Sequence, residues 1–384
     1  MCGLLYLYSL RPIKLNLLES IASEYIQQRG PDYSTSYSSS FEYIYQSVLS
    51  IQSNPAIKNS FRTKNGYILY NGEAYCRRDS HNPIYDSSLD DLIGFSSKSS
   101  VADWLDSVDS MHAIIEVIQN SGVTNTVRIH RDPQGEKHLF YYFTSDTLMV
   151  SSVPGVIRDY LGLSTVNTDA LNDYISRRHF IYPNSTAIDG IKELKPGESL
   201  EFAISDSIKL KQAGQSSIFN LIYDPTYYNY LSDLSFDEYL AHFKDIFDLT
   251  CKMLIDSAPQ GKIGLVASGG IDSTVVSKTS SSYLNSYHSF CLDFAGKESP
   301  ISILETLLPR NSHFTNTVDL EQYYESMMRC YQLLSGPLPT HSFASSWLLG
   351  RDVSSYRYRV LLGGEGADET FMGYSTYLDK SRYC

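Results

Sequence analysis

The sequence predicts two different folds in tandem: a β-rich α+β first half, then an α/β second half built on a parallel sheet. Three observations carry this. The chain has 384 residues, more than one domain at about 150 residues each. The first half is dominated by short segments rich in Val, Ile, Tyr and Phe, the composition of strands. From Ser235 onward, short apolar strands alternate with helical patterns, which implies parallel strands with helices on their faces. Hydrophobic residues make up 42% of the chain, enough for substantial cores, so wholesale disorder is excluded. Lys and Arg number 31 against 43 Asp and Glu, a net charge of −12; this is the reverse of the basic footprint that nucleic acid requires. No apolar run approaches the roughly 18 residues of a membrane span, and the opening residues lack the basic region of a secretory signal.

In order along the chain, Leu4–Ser9, Ile44–Ile51, Gly66–Asn71, His112–Gln119, Val127–His130, His138–Phe143, Thr147–Ser152 and Ser199–Phe202 read as strands. Leu17–Gln28 and Asp169–Arg178 read as helices. The Ser clusters at Ser34–Ser40 and Ser96–Ser100 read as surface loops. A Ser-, Gln- and Tyr-rich stretch with weak periodicity places a linker over residues 206–234. Ser235 and Glu238 form a capping box that opens a helix with Leu240, Phe243, Ile246, Phe247 and Leu254 on one stripe. Strand Ile263–Ala267, a glycine turn, a helix from Asp272, strand Ser289–Phe294, helical segments Leu320–Leu334 and Ser342–Asp352, and strand Arg359–Leu362 complete the second half.

The six cysteines show neither CxxC nor His/Cys metal spacing, a pattern that fits a reducing cytoplasm. Cys2 stands apart. Once Met1 is removed, its α-amino group titrates near pH ~8 and can take the thiol proton. In the second half, Ser268-Gly269-Gly270-Ile271-Asp272-Ser273 lies between a strand and a helix. Its glycines allow backbone N–H groups to approach an anion, and the helix N-terminus favours negative charge. Asp272 inside such a site calls for a cation, and Mg²⁺ bridging the carboxylate and phosphate oxygens reconciles the two.

These residues carry a family resemblance. Ser268–Ser273 resembles the pyrophosphate loop of ATP pyrophosphatases. Leu362-Gly363-Gly364-Glu365-Gly366-Ala367-Asp368-Glu369-Thr370-Phe371-Met372-Gly373-Tyr374 resembles the GEGxDExFxGY signature of the asparagine synthetase family. Cys2-Gly3, Arg29-Gly30-Pro31-Asp32, Asn71-Gly72-Glu73 and Arg131-Asp132-Pro133-Gln134-Gly135 are similar, in order, to the landmarks of that family's class II glutaminase domain. The resemblance implies an N-terminal nucleophile (Ntn) hydrolase-like sandwich of antiparallel sheets over residues 2–205, and an ATP-pyrophosphatase-type α/β domain over 235–384 whose C-terminal part is missing. It implies Cys2 as nucleophile, Asn71 and Gly72 as oxyanion hole, and Arg29, Asn71, Gly72 and Glu73 as glutamine-binding. It further implies ATP on Ala267, Ser268, Gly269, Gly270, Asp272, Ser273, Leu292, Gly364 and Glu365, with Glu365 also orienting the reacting groups, and Mg²⁺ on Asp272 and Asp368. The implied reaction adenylates a carboxylate such as that of aspartate, and ammonia from glutamine attacks it after passing through an internal tunnel. The expected partners are these small molecules, with a homodimer or a partner supplying the missing C-terminal part left open.

Two positions depart from the pattern. An Arg that grips the glutamine α-carboxylate is replaced by Val48, in Gln46-Ser47-Val48-Leu49-Ser50-Ile51. An Asp that holds the α-amino group aligns with Lys98. Arg62, Arg77 and Arg78 are candidate replacements for the lost cation. The departures favour an alternative, an ATP-dependent amide ligase resembling β-lactam or lasso-peptide synthetases with a vestigial glutaminase domain. A catalytically incomplete nucleotide- or partner-binding remnant is the third reading.

Overall fold

The computed structural model describes residues 2–51, 62–63, 65–77, 101–177, 184–215, 224–258, 261–294, 301–308, 312–338, 340 and 342–374. The chain divides into two compact units, residues Met1–Asp233 with Met328–Phe343, and Leu234–Met327 with Ala344–Cys384.

The strands of the first unit are β1 (Gly3–Ser9), β2 (Tyr33–Ser38), β3 (Glu42–Val48), β4 (Arg62–Thr63), β5 (Gly66–Arg77), β6 (Val108–Asn120), β7 (Val123–Arg131), β8 (Phe140–Phe143), β9 (Thr147–Ser151), β10 (Lys192–Glu193), β11 (Glu198–Ile204) and β12 (Ile208–Gln215). Its helices are α1 (Leu15–Tyr25), α2 (Val101–Ser107), α3 (Pro154–Leu161), α4 (Thr168–Arg177) and α5 (Pro225–Ser232). Two six-stranded antiparallel sheets form, in the orders β10-β8-β9-β1-β3-β2 and β12-β11-β7-β6-β5-β4. Successive residues of a strand point to opposite faces, and β1 shows what that does here. Leu4 and Tyr6 enter a core shared with Leu69, Ile115, Ile129 and Phe202 of the second sheet. Leu5 and Leu7 enter another core with Leu18, Ile21, Ala22 and Tyr25 of α1 and Val156 and Ile157 of α3. Both faces of β1 are therefore covered, which is why Leu4–Leu7 reads as an unbroken apolar run. On the outer face of the second sheet, Trp104 of α2 packs on Ile68, Tyr70 and Ile114.

The chain from residue 234 carries α6 (Phe236–Asp256), β13 (Ile263–Val266), α7 (Ile271–Ser281), β14 (His288–Phe294), α8 (Ile301–Leu307), β15 (Ser312–Val318), α9 (Leu320–Leu334), α10 (Ser342–Ser355), β16 (Val360–Leu362) and α11 (Ala367–Phe371). Its four strands pair in parallel in the order β15-β14-β13-β16. The capping box opens α6: the Glu238 carboxylate accepts from the Ser235 N–H at 2.9 Å, and the Ser235 hydroxyl accepts from the Glu238 N–H at 3.4 Å. No helix among the described residues is long and apolar enough to cross a membrane.

Besides the unexpected helices α2, α3 and α8, the structure departs from the sequence expectation at three further segments. Ser34–Ser38, expected as loop, lies in edge strand β2, paired with β3 from Tyr33↔Val48 to Ser38↔Tyr43. Tyr33, Thr35 and Tyr37 are half-buried while the serines face outward, so the serines form the polar face of an edge strand. Residues 206–234, expected as linker, hold β12 and α5. Ile208 is buried in the core between the sheets, and Asp224 caps α5 by accepting from the Thr226 N–H at 2.8 Å. Third, β15 joins the parallel sheet at its edge, although Ser312-His313-Phe314-Thr315-Asn316 carries only one large apolar residue. The Ser96–Ser100 cluster lies outside the described residues.

Candidate active site

In the first unit the site begins at the residue before β1. The Cys2 N–H donates to Asn71 Oδ1 at 2.9 Å, and Arg29 Nε donates to the Cys2 carbonyl at 3.2 Å. Burial pushes the Cys2 thiol above its usual range; the Leu49 backbone and the Arg29 guanidinium pull the other way, and Glu73 adds to the rise. Asn71 is 1% exposed, and its Nδ2 has no acceptor among the described residues. A buried amide donor left unsatisfied is uncommon, and this one belongs to the side chain that touches Cys2. Gly72 comes next on β5 and pairs with His112 of β6. A Cβ at Gly72 would overlap the Met111 carbonyl oxygen, so only glycine lets the two strands close here. Cys2, Arg29, Asn71, Gly72 and Glu73 thus come together.

Val48 is 8% exposed and carries no charge into this region; its carbonyl accepts from the Asp32 N–H at 3.1 Å. Lys98 and Arg78 lie outside the described residues, as does the side chain of Arg77. Arg62 is described, at the outer strand β4.

Arg131–Gly135 is legible in the sequence as a landmark, whereas Glu136 and Lys137 just beyond it are not. The Asp132 carboxylate accepts from the N–H groups of Glu136 at 2.9 Å and Lys137 at 3.0 Å, and the Asp132 N–H donates to the His112 carbonyl at 2.9 Å. His112 is the residue paired with Gly72, so this turn sits on the same row of the sheet as Gly72. Lys137 is 8% exposed. Burial pushes its ammonium below the usual range, and Glu73 and Glu136 oppose this most strongly. The only signal in the sequence was a charged residue two positions beyond a tight turn.

In the second unit, two loops meet at the C-terminal edge of the parallel sheet, where folds of this kind bind ligands. β13 and β16 run side by side, Ile263↔Val360 to Leu265↔Leu362, so the segments leaving them are neighbours. After β13, the Ser268 N–H donates to Ser273 Oγ at 3.2 Å, and the hydroxyls of Ser268 and Ser273 lie 2.9 Å apart. Asp272 stands in the first turn of α7, whose N–H groups have no intrahelical acceptors. After β16, Gly364 comes so close that a Cβ there would lie 2.6 Å from the Ser273 nitrogen and 2.7 Å from the Asp272 Cβ. The structure therefore gathers Ser268, Gly269, Gly270, Asp272, Ser273, Gly364 and Glu365. Asp368 stands in the first turn of α11. Glu365 is exposed and Leu292, on β14, is half-buried. Ala267 is buried, in one cluster with Cys291, Leu304 and Leu308. The carboxylates of Asp272 and Asp368 make no hydrogen bond or ion pair with the described residues. Hard, unpaired carboxylate oxygens suit Mg²⁺.

Comparison with known proteins agrees with both loop systems. Residues 1–212 match the family described as glutamine amidotransferase domain, and residues 257–383 the family described as asparagine synthase. A curated relative, glutamine-hydrolysing asparagine synthetase 1 of Bacillus subtilis, is 23% identical over 251 residues, 64% of this chain and 37% of that protein. The chain thus spans little more than a third of that relative's length. Among solved structures, the glutamine phosphoribosylpyrophosphate amidotransferase of B. subtilis is 13% identical, covering 74% of this chain and 65% of its own with a TM-score of 0.32. NMN synthetase from Francisella tularensis is 20% identical over 34% of this chain and 58% of its own, with a TM-score of 0.26. With a glutamine amidotransferase domain followed by an asparagine synthase domain, the chain belongs to the asparagine synthetase family.

Proposed function

We propose that the chain is a glutamine-dependent amidotransferase of the asparagine synthetase type, converting a carboxylate, aspartate in the first instance, into its amide with consumption of ATP. The observation that supports this best is the Asn71 side chain, which holds the Cys2 N–H through Oδ1 and keeps a buried Nδ2 without an acceptor among the described residues. An amide donor beside the thiol, in a water-poor setting, suits the oxyanion that forms when a thiolate attacks an amide carbon. Removal of Met1 makes the Cys2 nitrogen an amine, which in its neutral form takes the thiol proton. Gly72 adds a backbone N–H to the same oxyanion, and Arg29 holds the Cys2 carbonyl so that the nucleophile keeps its place. This arrangement is the Ntn-hydrolase reading of the two-sheet unit.

In the second unit, Ser268, Gly269, Gly270 and Ser273 bind the phosphates of ATP, the amide groups at the α7 N-terminus supplying the positive end of a dipole. Asp272 and Asp368 would hold Mg²⁺, which when bound neutralises phosphate charge. Glu365 orients the groups around the activated carboxylate, and ammonia from the first unit is the amine consumed. Leu292 offers apolar contact to the base.

The test is pyrophosphate release from Mg-ATP, aspartate and either glutamine or ammonium. Cys2→Ala is expected to abolish glutamine-driven release and leave ammonium-driven release intact; no release with either donor would refute the proposal. Val48 favours a second reading, an ATP-dependent amide ligase that uses an amine on its own substrate. On that reading Cys2→Ala changes nothing.

A further inference from the structure

Where the family resemblance places an arginine for the donor's carboxylate stands Val48, apolar and buried. A cation with no partner among the described residues lies elsewhere in the same unit. Lys137 is more than nine-tenths buried, and its ammonium makes no hydrogen bond or ion pair with the described residues; the one bond its turn provides is from its backbone N–H to Asp132. Its opposite charges are the carboxylates of Glu73, Glu136 and Asp132, in electrostatic range but making no ion pair with it; holding an ammonium in an enclosed side chain without a close partner is costly. The turn that carries it is fixed by Asp132, 1% exposed, and is tied to the row of Gly72 through the His112 carbonyl. Cys2 and Lys137 both lie within electrostatic range of Glu73 and Arg29. An acid, Glu73, in range of both the nucleophile and the Lys137 ammonium matches a zwitterionic head group, with Glu73 facing the ammonium and Lys137 the carboxylate.

We propose that Lys137 holds the α-carboxylate of the amide donor, replacing the arginine that Val48 displaces, so that the site takes free glutamine through a different cation. This rests on the amidotransferase reading above. A lysine is a point charge rather than a two-pronged donor, so selection falls on the presence of a carboxylate more than on its orientation.

The test uses the full chain and 6-diazo-5-oxonorleucine. This glutamine analogue has the same head group, and its diazoketone alkylates a thiol with C–S bond formation and loss of N₂. Alkylation of Cys2 is followed by intact mass, alongside iodoacetamide, which has no carboxylate. In the unaltered chain, labelling by the analogue is expected to saturate and to be blocked by glutamine. Lys137→Met and Lys137→Gln are expected to raise the half-saturating concentration at least tenfold while leaving the limiting rate and the iodoacetamide rate unchanged, and Lys137→Arg to restore most of the loss. Equal half-saturation in Lys137→Gln and the unaltered chain would overturn the Lys137 assignment alone. Cys2 that reacts with iodoacetamide but shows no glutamine-protected labelling would overturn the amidotransferase reading with it.

Discussion

Acid should weaken the first unit through one histidine, by an amount set by its surroundings. His130 on β7 is buried; its Nδ1 meets Ser199 Oγ at 2.8 Å, and its Nε2 has no partner among the described residues. Burial, then the repulsion of His112 and Arg128, lowers its pKa from 6.5 to about 3. The unfolded chain therefore takes up a proton near pH 6.5 that the folded chain refuses until about pH 3. Stability is complete above pH 6.5, falls by about 1.4 kcal/mol per pH unit below it, and levels off near pH 3. At pH 4.5 two of those units have been crossed, a loss of about 2.7 kcal/mol. Buried carboxylates act in the opposite sense. Burial raises the pKa of Glu42 and Glu116, so their contribution to stability falls as pH rises. Comparison with His130→Gln cancels them. Urea unfolding, read by Trp104 fluorescence in a Trp347→Phe background so that the signal comes from the first unit, is measured at pH 7.5 and 4.5. The stability of the parent minus that of His130→Gln should fall by about 2.7 kcal/mol between the two. A difference that stays constant within about 0.5 kcal/mol would show that the imidazole protonates freely in the folded state, and would refute the reasoning.

Three further outcomes are expected from the same geometry. Asn71→Ala removes the unpaired donor beside Cys2 and should cost about 10²–10³-fold in the rate of glutamine hydrolysis while sparing ammonium-driven turnover; steady-state glutamate release measures it. Gly364→Ala puts a methyl group 2.6 Å from the Ser273 nitrogen and should force the two loops apart, weakening Mg-ATP binding at least tenfold by calorimetry with little change in the far-UV spectrum. Trp104→Ala leaves a cavity over Ile68, Tyr70 and Ile114 and should destabilise the first unit by about 3–5 kcal/mol, read as a lowered urea midpoint.

Much of this was visible in the sequence because burial on two faces leaves a strong mark. The run Leu4–Leu7 declares a central strand, and Ser235 with Glu238 declares a helix start. The two glycine loops declare the ends of parallel strands. Edge strands leave a weaker mark. In β2 the serines facing outward hide the half-buried Tyr33, Thr35 and Tyr37. In β12 the alternation Ile208-Lys209-Leu210-Lys211 was present but sat next to a polar stretch that read as linker. At the sites, residues whose roles depend on motif position were legible, whereas those whose roles depend on enclosure were not. Nothing local shows that Ala267 is buried with Cys291, Leu304 and Leu308. Nothing local shows that Lys137 is buried without an ion pair among the described residues, since that depends on a turn folding back over the sheet.

The placement of Cys2 next to a strand covered on both faces has an evolutionary consequence. The atoms proposed to break the amide bond ride on the sheets, at the mouth of β1 and within β5, and cannot shift without unpacking two cores. The charges that would choose the donor ride on short turns, Arg29 after α1 and Lys137 after β7. Donor preference can therefore drift by exchange of a turn while the nucleophile stays where it is. On the proposed role of Lys137, transplanting residues 132–137 between relatives is a direct route to changing which amide is accepted.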